Sequence, residues 1–430
     1  MLLCAFRWLS VDHFERHYLG YRRTEHPSVR PWKLPEAIWA VSGAVMLVVL
    51  GLLPWSDALK AVAKGIDVYL FLTGMMVLAE LARKEGLFDF LAGRAVRLAD
   101  GSPTKLFALV YGIGTVVTVF MSNDATAVVL TPAVFAATKA AKVKDPLPDL
   151  LIRAFIANAA SFVLPISNPA NLIIFRDHMP PLLQWLARFA LPSVLSIAVT
   201  HAVLRFTLRD SLSQEVMAAG VDVPGLSSGG CMTACGIVGT GIVLLLVSGF
   251  GVDLGLPTFV AAVATAAVVL FLKRESPWTV MKDASWEILP LVAGLFVLVE
   301  ALDRSGVLNA LIHVLQTATD RSAMATTWGT GMTLALISNL VNNLPAGLLG
   351  GSVVSASHVP HQVASAVLIG VDLGPNLSVT GSLATILWLS ALRRENQEVS
   401  AWSFLKLGAL VMPCALLLAI AGLLVSGAVP

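Results

Sequence analysis

The chain of 430 residues is 57% hydrophobic and only 13% charged, which leaves too little polar surface to cover a water-soluble protein of this size. Its formal net charge of +2 gives no indication of a nucleic-acid partner. The sequence has no GxxxxGK[ST] phosphate loop, so we do not expect the chain to hydrolyse ATP or to act as an enzyme.

Apolar stretches long enough to cross about 30 Å of hydrocarbon recur from Ile38 to Val425. Lipid offers no partners for open backbone groups, so we predict an all-α polytopic membrane protein with about nine or ten full spans. The candidate spans are 36–53, 66–82, 148–177, 181–207, 235–250, 256–272, 286–301, 361–390 and 403–427. Residues 1–35 carry too many charges for a span, so we interpret them as a cytoplasmic segment or interfacial helix.

Two further apolar segments, 104–140 and 324–357, are each interrupted by a polar cluster. Ser122-Asn123-Asp124 interrupts the first, and Asn342-Asn343 interrupts the second. Polar backbone at membrane depth is tolerated only where it faces protein or a wet cavity. We therefore predict two re-entrant helical hairpins with polar tips, and two broken transmembrane helices at 148–177 and 361–390.

The distribution of basic residues predicts the orientation. With the N-terminus in the cytoplasm and both hairpins returning to their side of entry, the cytoplasmic segments hold 23 of the 29 Lys and Arg. The other six are Lys60, Lys64, Arg176, Arg188, Arg304 and Arg321. This topology places the C-terminus outside the cell inner membrane.

An internal repeat divides the chain into residues 36–207 and 235–430, joined by a cytoplasmic linker at 208–234. The segment 165–172 aligns with 379–386 at an offset of 214, which sets Asn158 opposite Asp372. The hairpin tips align separately at an offset of 219, Asn123-Asp124 on Asn342-Asn343. The halves start on opposite sides in the predicted topology, so we predict an inverted repeat.

Polar residues in the two tips and the two broken helices predict one small substrate site at the membrane midplane, formed by half-helix N-termini, carbonyls and amides. The alternative is that these side chains only tie helices together by hydrogen bonds. The predicted substrate-binding residues are Ser122, Asn123, Thr126, Ser167, Asn168, Asn171, Asn342, Asn343, Asn376, Thr380, Ser382 and Thr385.

Asp124 and Asp372 are the ionisable residues of these clusters. Burial favours the protonated form of a carboxylate, so we predict that they couple transport to protons. The alternative is that each is a fixed hydrogen-bond acceptor. The clusters contain no Lys or Arg, which argues against a dicarboxylate substrate held by cationic side chains, although helix N-termini alone can bind anions.

The cysteines and histidines predict neither a metal site nor a cofactor. Cys231 and Cys235 lie in or beside the predicted linker, away from the polar clusters. Arsenic binding through their thiols is one interpretation, but the more frequent role of a free cysteine is that of a small buried apolar residue. The pairs His13/His17 and His358/His361 have helical spacing but no third ligand.

Residues 122–132, SNDATAVVLTP, resemble the hairpin-tip motif of the ion transporter superfamily, which includes sodium–dicarboxylate carriers. Together with Ser167-Asn168, Asn342-Asn343-Leu-Pro345, Asp372-Leu-Gly-Pro375 and 381–388, GSLATILW, they resemble the arsenical pump membrane protein family over essentially the whole chain after residue 35.

The resemblance implies export of As(III) and Sb(III) hydroxides from the cytoplasm in exchange for protons, by alternating access between a scaffold half and a moving half of each repeat. In some relatives a soluble arsenite-stimulated ATPase docks on the cytoplasmic face. Two departures weaken any carry-over of the coupling residues: Asn158 stands where relatives often have Asp, and Asn376 where some have Lys.

Two other functions compete with arsenite export. A sodium-coupled carrier for an organic or inorganic anion on the same fold would show sodium-dependent uptake. A non-transporting membrane anchor or channel subunit for a soluble ATPase would show no solute pumping in vesicles without that partner.

Overall fold

A computed structural model describes residues 36–176, 179–214, 217–218 and 225–427, and this part of the chain is helical without any strand. The predictions for residues 1–35 lie outside the described residues. The first half contains α1 (Glu36–Val49), α2 (Trp55–Ala63), α3 (Ile66–Lys84), α4 (Leu87–Ala99), α5 (Pro103–Met121), α6 (Asn123–Val128), α7 (Leu130–Ala140), α8 (Leu147–Ala159), α9 (Pro169–Ile174) and α10 (Leu182–Thr207), followed by α11 (Arg209–Gln214). The second half contains α12 (Ser228–Gly249), α13 (Gly255–Lys273), α14 (Trp278–Met281), α15 (Ile288–Arg304), α16 (Val307–Arg321), α17 (Ala323–Val341), α18 (Asn343–Ser357), α19 (His361–Leu373), α20 (Leu383–Arg394) and α21 (Ala401–Ser426).

Five described helices are long and apolar enough to cross a membrane alone, namely α5, α10, α12, α13 and α21. The pair α2 and α3, bent by 49° at its junction, adds a sixth candidate. Together with the all-helical architecture, these helices confirm the predicted polytopic class.

Both predicted hairpins reverse direction at their polar tips. In the first, Thr118 of α5 and Thr126 of α6 bring their hydroxyl oxygens to 2.8 Å across the turn at Ser122. In the second, Gly350 of α18 lies against the side chain of Leu334 of α17, on the other side of the turn at Asn342. The second arm of the first hairpin is itself interrupted at Val129, between α6 and α7.

Each broken helix consists of two helical pieces separated by a short 3₁₀ turn. The turn Pro165–Ser167 lies between α8 and α9, and the turn Gly374–Asn376 lies between α19 and α20. Proline contributes to both breaks, because Pro165 and Pro375 have no N–H to continue the helical hydrogen bonds. The residues of both 3₁₀ turns are buried within the protein.

Two helix pairs form equivalent contacts between the halves of the chain. Helix α3 of the first half packs on α13 of the second, and α15 packs on α1. A Cβ on Gly74 would lie 2.9 Å from the Thr258 carbonyl oxygen, and a Cβ on Gly294 would lie 2.9 Å from the Ala40 carbonyl carbon. This reciprocity supports a twofold relationship between the halves, whereas its inverted sense in the membrane stays a prediction.

Some elements differ from the predicted ones. Helix α12 begins at Ser228, inside the segment predicted as linker, because the Ser227 hydroxyl accepts a hydrogen bond from the Gly230 N–H at 2.9 Å and caps the helix. The hydropathy pattern also gave no indication of α4 and α16. Both alternate apolar with polar residues, so neither contains a continuously apolar stretch.

Candidate substrate site

The two hairpin tips have the same local geometry. Ser122 has φ 125° and accepts from the Ala125 N–H at 3.5 Å, so its hydroxyl caps α6. Asn342 has φ 76° and accepts from the Leu344 N–H at 3.3 Å, so its amide caps α18. The equivalent cap residues are therefore 220 positions apart. The predicted offset of 219 between the tips is wrong by one residue. It matched Asn123 with Asn342, whereas the positive φ values show that Asn342 is equivalent to Ser122 and Asn343 to Asn123.

With this register, Asn123 and Asn343 are the equivalent first residues of the helices that follow the tips. Both side chains are buried at 2% exposure. The Oδ1 atom of each has no hydrogen-bond donor among the described residues. The two helices thus begin with a buried amide oxygen that can accept a hydrogen bond from a ligand.

The second pieces of the broken helices also begin with a side-chain cap. The Asn168 Oδ1 accepts from the Ala170 N–H at 3.0 Å, and the Ser382 hydroxyl accepts from the Ala384 N–H at 3.1 Å. These caps are 214 residues apart, as the predicted alignment requires. Ser382 is therefore a helix cap, and its oxygen is already engaged.

Direct side-chain bonds join the two broken helices. The Asn168 Nδ2 donates to Asp372 Oδ1 at 2.8 Å, and the Asn158 Nδ2 donates to Asn376 Oδ1 at 3.0 Å and to the Thr385 hydroxyl at 3.5 Å. All five side chains are buried. The structure therefore brings four predicted site residues together from segments about 200 residues apart, and it adds Asn158, which was not among the predicted site residues.

Each broken helix is also bonded to the hairpin tip of its own half. The Ser167 hydroxyl donates to the Val119 carbonyl at 3.0 Å, just before the first tip. The Asn343 N–H donates to the Gly381 carbonyl at 2.8 Å, and the Asn342 Nδ2 to the Thr380 carbonyl at 3.5 Å. Hydrogen bonds therefore attach each tip to the broken helix of its own half, and the two broken helices to each other.

Three predicted site residues have local partners. The Asn171 Nδ2 donates to the Ser161 and Leu164 carbonyls at 2.8 and 3.2 Å and holds the break of its own helix together. Thr126 pairs with Thr118 inside the first hairpin. Thr380 is exposed and donates to the Asn339 carbonyl at 3.1 Å. Their contribution to a substrate site stays a prediction.

The two predicted coupling carboxylates have different surroundings. Asp372 is fully buried and accepts from Asn168, while its Oδ2 has no donor within the described part of the chain. Asp124, in the first turn of α6, is half-buried, and its carboxylate has no hydrogen bond or ion pair to a described residue. Asp372 is thus oriented by a partner, whereas Asp124 is not.

Sequence reasoning missed two residues that shape the site. The Asn339 Nδ2 donates to the Gly374 carbonyl at 2.9 Å, and its Oδ1 accepts from Ser378 at 2.7 Å, so it joins the second hairpin to the second broken helix. Its position one helical turn before Asn343 was the available signal. Arg153 is fully buried and donates from Nη1 to the Leu130 and Thr131 carbonyls, each at 3.0 Å, just after the break in the first hairpin.

The site is rich in buried oxygens that can accept hydrogen bonds. Five buried side-chain oxygens lack a donor among the described residues: Asn123 Oδ1, Asn158 Oδ1, Asn171 Oδ1, Asn343 Oδ1 and Asp372 Oδ2. No Lys or Arg forms a hydrogen bond or ion pair with these side chains in the described structure. Such a site suits a ligand that donates hydrogen bonds or carries positive charge.

Comparison with known proteins agrees with this architecture. The sequence profile of the citrate transporter family matches residues 29–371. The chain belongs to the citrate transporter family. The arsenical pump membrane protein of Yersinia enterocolitica is 29% identical to the chain over 344 residues, which are 77% of the chain and 79% of that protein. The arsenical pump membrane protein of Escherichia coli K12 is 29% identical over 386 residues, 85% of the chain and 87% of that protein.

A solved structure supports the fold of this citrate transporter family member. The YdaH transporter of Alcanivorax borkumensis superposes with a TM-score of 0.57 at 14% sequence identity, covering 92% of the chain and 98% of that transporter. The family and the apolar helices identify the chain as a multi-pass membrane transporter and not an enzyme. The similarity to arsenical pumps confirms the relationship that the sequence motifs indicated.

Proposed function

We propose that the chain exports arsenite and antimonite from the cytoplasm by exchange with protons, through an alternating-access mechanism. The observation that carries this proposal is a group of buried acceptor oxygens, on side chains that bond to no Lys or Arg in the described structure, in a chain similar to arsenical pumps. Arsenite at neutral pH is an uncharged trihydroxide with three O–H donors. A ligand of this kind satisfies buried oxygens without needing an opposite charge.

The amide oxygens of Asn123 and Asn343 supply acceptors at the two tips, and the Asp372 Oδ2 supplies one between the broken helices. A buried polar group without a partner costs about 1–3 kcal/mol, so a ligand that donates to several of these oxygens recovers part of that cost on binding. A dicarboxylate brings further acceptors and negative charge to the same place. The donor–acceptor balance therefore favours a hydroxide over an organic anion.

Coupling to protons is assigned to Asp372 in the first place and to Asp124 in the second. A neutral hydroxide does not respond to the membrane potential, so accumulation against a gradient requires a charge that moves with it or against it. A buried carboxylate beside the substrate provides this charge by taking up and releasing a proton. Asp372 lies at the junction of the two broken helices, where a change in its charge acts on both.

The exchanged contacts between the halves support alternating access, because two equivalent halves can adopt each other's conformation. We place the N-terminus and the linker in the cytoplasm and the C-terminus outside the inner membrane, on the basis of the basic residues. A soluble arsenite-stimulated ATPase at the cytoplasmic face is part of the proposal only as an optional partner.

The test is flux into everted membrane vesicles under an imposed pH gradient, with arsenite, antimonite, citrate and sodium salts compared side by side and no soluble ATPase present. We expect arsenite and antimonite to accumulate when the interior is acidic, without sodium. A sodium-dependent citrate flux in place of arsenite accumulation would overturn the proposal.

Membership of the citrate transporter family supports one competing function, transport of an organic anion. A sodium-coupled carrier for citrate or another anion would use the N-termini of α18 and α20, since helix N-termini attract anions without Lys or Arg. The sodium arm of the flux experiment separates the two. A channel or anchor for an ATPase would give no uphill transport in these vesicles.

A further inference from the structure

Helix α12 carries two thiols that the proposed transport site does not use. Cys231 and Cys235 are both exposed and four residues apart, so they lie on one face of the helix with Cβ atoms about 5–6 Å apart. The same face continues with Val238, Ile242 and Leu245, which are 60%, 52% and 40% exposed. The thiols are thus the first two members of an exposed apolar stripe.

Charged residues near the start of α12 indicate how deep Cys231 and Cys235 lie relative to the membrane surface. Lys273 at the end of α13 donates to Glu85 at 2.7 Å, and the Ser227 cap of α12 donates to the same carboxylate at 3.3 Å. Beside them, the ion pair with Lys84 lowers the pKa of Glu275. Charged groups gather where a membrane helix meets water, so this cluster marks the polar boundary.

Gly229 lies against Glu85 within this cluster. Cys231 follows Gly229 by about 3 Å along the helix axis and Cys235 by about 9 Å. The first thiol is therefore at the boundary and the second one turn further along the apolar stripe. Both side chains are exposed on the outer surface of the protein.

The spacing decides which chemistry the pair supports. A disulfide needs Cβ atoms about 3.5–4.5 Å apart, which is less than helical i,i+4 spacing provides. A single trivalent arsenic or antimony atom placed between the sulfurs lengthens the bridge and removes this restriction. The described chain holds no group of three or more His, Cys, Asp and Glu in a metal-binding arrangement, so the two thiols would bind arsenic without a third protein ligand.

We propose that Cys231 and Cys235 form a second binding site, which holds trivalent arsenic or antimony as a dithiolate at the polar end of α12; the choice of ligand rests on the proposed function. Two As–S bonds form while two As–O bonds and two S–H bonds break. Each thiol proton leaves with a hydroxide as water. Arsenic keeps its oxidation state, and one hydroxyl remains on it.

The test uses the purified full-length chain with phenylarsine oxide, an arsenical that forms two bonds to thiols. In a background with Cys4→Ser and Cys414→Ser, we expect one phenylarsine oxide per chain by intact mass spectrometry. The adduct should survive excess mercaptoethanol and be released by 2,3-dimercaptopropanol. A further Cys231→Ser or Cys235→Ser change should weaken binding at least tenfold.

A matched control keeps the number of thiols and changes only their spacing. Cys235→Ser combined with Val238→Cys leaves two exposed thiols on the same stripe, about 10 Å apart along the axis. This variant should not retain phenylarsine oxide through the mercaptoethanol wash. In the parent background, arsenite itself should protect both thiols from maleimide at a concentration at least tenfold lower than in the control.

Equal retention by the spaced control, or by either single serine variant, would overturn the proposal. So would two mercaptoethanol-sensitive adducts per chain in the parent background. A failure of this second site is distinguishable from a failure of the proposed function. Arsenical binding is measured on the purified chain, whereas arsenite transport is measured separately, as vesicle flux of the Cys231→Ser, Cys235→Ser double variant.

Discussion

The Asn168 side chain performs two tasks at once, since its Oδ1 caps α9 and its Nδ2 donates to Asp372 Oδ1 at 2.8 Å. The start of one broken helix is thereby attached to the last turn of the other. Protonation of Asp372 changes the strength of this bond, because a charged acceptor binds an amide N–H more strongly than a neutral one. A proton at Asp372 therefore acts on the contact between the two halves.

Replacement of Asp372 tests this link. Asp372→Asn keeps the volume and an oxygen that accepts from Asn168, but it cannot ionise. We expect arsenite exchange between preloaded vesicles and medium to persist, and accumulation driven by a pH gradient to be lost. The companion variant Asp124→Asn, at the half-buried carboxylate, should reduce accumulation less.

Should both Asn variants still concentrate arsenite under an imposed pH gradient, neither Asp is the coupling carboxylate. Glu80 and Glu300 are the next acids along the equivalent helices α3 and α15. Each already has a cationic partner: Glu80 accepts from Arg83 Nε at 2.8 Å, and Glu300 from Lys64 at 2.7 Å. These ion pairs make both poorer candidates than Asp372.

The tip amides give a second prediction. Asn123→Leu and Asn343→Leu should each abolish transport while membrane insertion and expression persist, because the change removes a ligand acceptor without lowering the hydrophobicity of the hairpin. Vesicle flux and quantitative immunoblotting of membranes measure the two outcomes. Normal pumping by both variants would place the substrate site elsewhere.

Asn342 belongs to the same prediction for a different reason. Its φ of 76° favours Gly or Asn, and a Leu there adds about 1–3 kcal/mol of backbone strain. Asn342→Leu should therefore also abolish transport, whereas Asn342→Gly should retain part of it. If the glycine variant is as inactive as the leucine variant, the amide itself is required and not only the conformation.

The comparison of sequence with structure shows which features a single sequence can predict. The hairpins and broken helices were predictable because polar clusters within apolar spans are rare and have few stable arrangements. The tip register was not, because Asn342 and Asn343 are chemically identical and only the backbone conformation tells cap from first helical residue.

Arg153 shows the opposite limitation. Near the end of a basic segment it was counted as a cytoplasmic charge, yet it is fully buried against the first hairpin. Its partners are the Leu130 and Thr131 carbonyls in the first turn of α7, beside the break at Val129. No local pattern in the sequence connects an arginine with carbonyl groups about 20 residues away.

Removal of this arginine should destabilise the first hairpin. Arg153→Met removes two buried hydrogen bonds to α7 and leaves Asp149 without the nearby positive charge, so we expect a loss of about 3 kcal/mol. The measurement is the apparent unfolding temperature of the purified chain in detergent. Arg94→Met, at an exposed arginine on α4, serves as the control and should change it little. Equal shifts in the two variants would contradict a specific role for Arg153.

The reciprocal packing of the halves gives a fourth prediction. Gly74→Ala and Gly294→Ala place a Cβ within 2.9 Å of the opposing helix, so each should destabilise the chain by about 1–3 kcal/mol. Gly112→Ala and Gly239→Ala lie on helices α5 and α12 with open space around the new Cβ. These controls should be neutral or slightly stabilising, because alanine favours the helix by about 0.5–1 kcal/mol. Unequal effects of Gly74→Ala and Gly294→Ala would argue against equivalent halves.

The predicted orientation is tested by cysteine labelling, in a background with the native cysteines replaced by serine. Gly251, in the turn between α12 and α13, is unsuitable for the probe because its φ of 68° strains any other residue. Its neighbour Val252 is 53% exposed and takes the probe without this penalty. Ser276, in the turn after α13, is also exposed.

A membrane-impermeant maleimide should label Val252→Cys from outside the cell and Ser276→Cys only from the cytoplasmic side of everted vesicles. Because α13 is one of the helices long enough to span the membrane, the two probes must react from opposite sides, which provides an internal control. Reversed labelling would invert the whole topology, and it would mean that the basic residues at 83–105 and 273–282 face the outside.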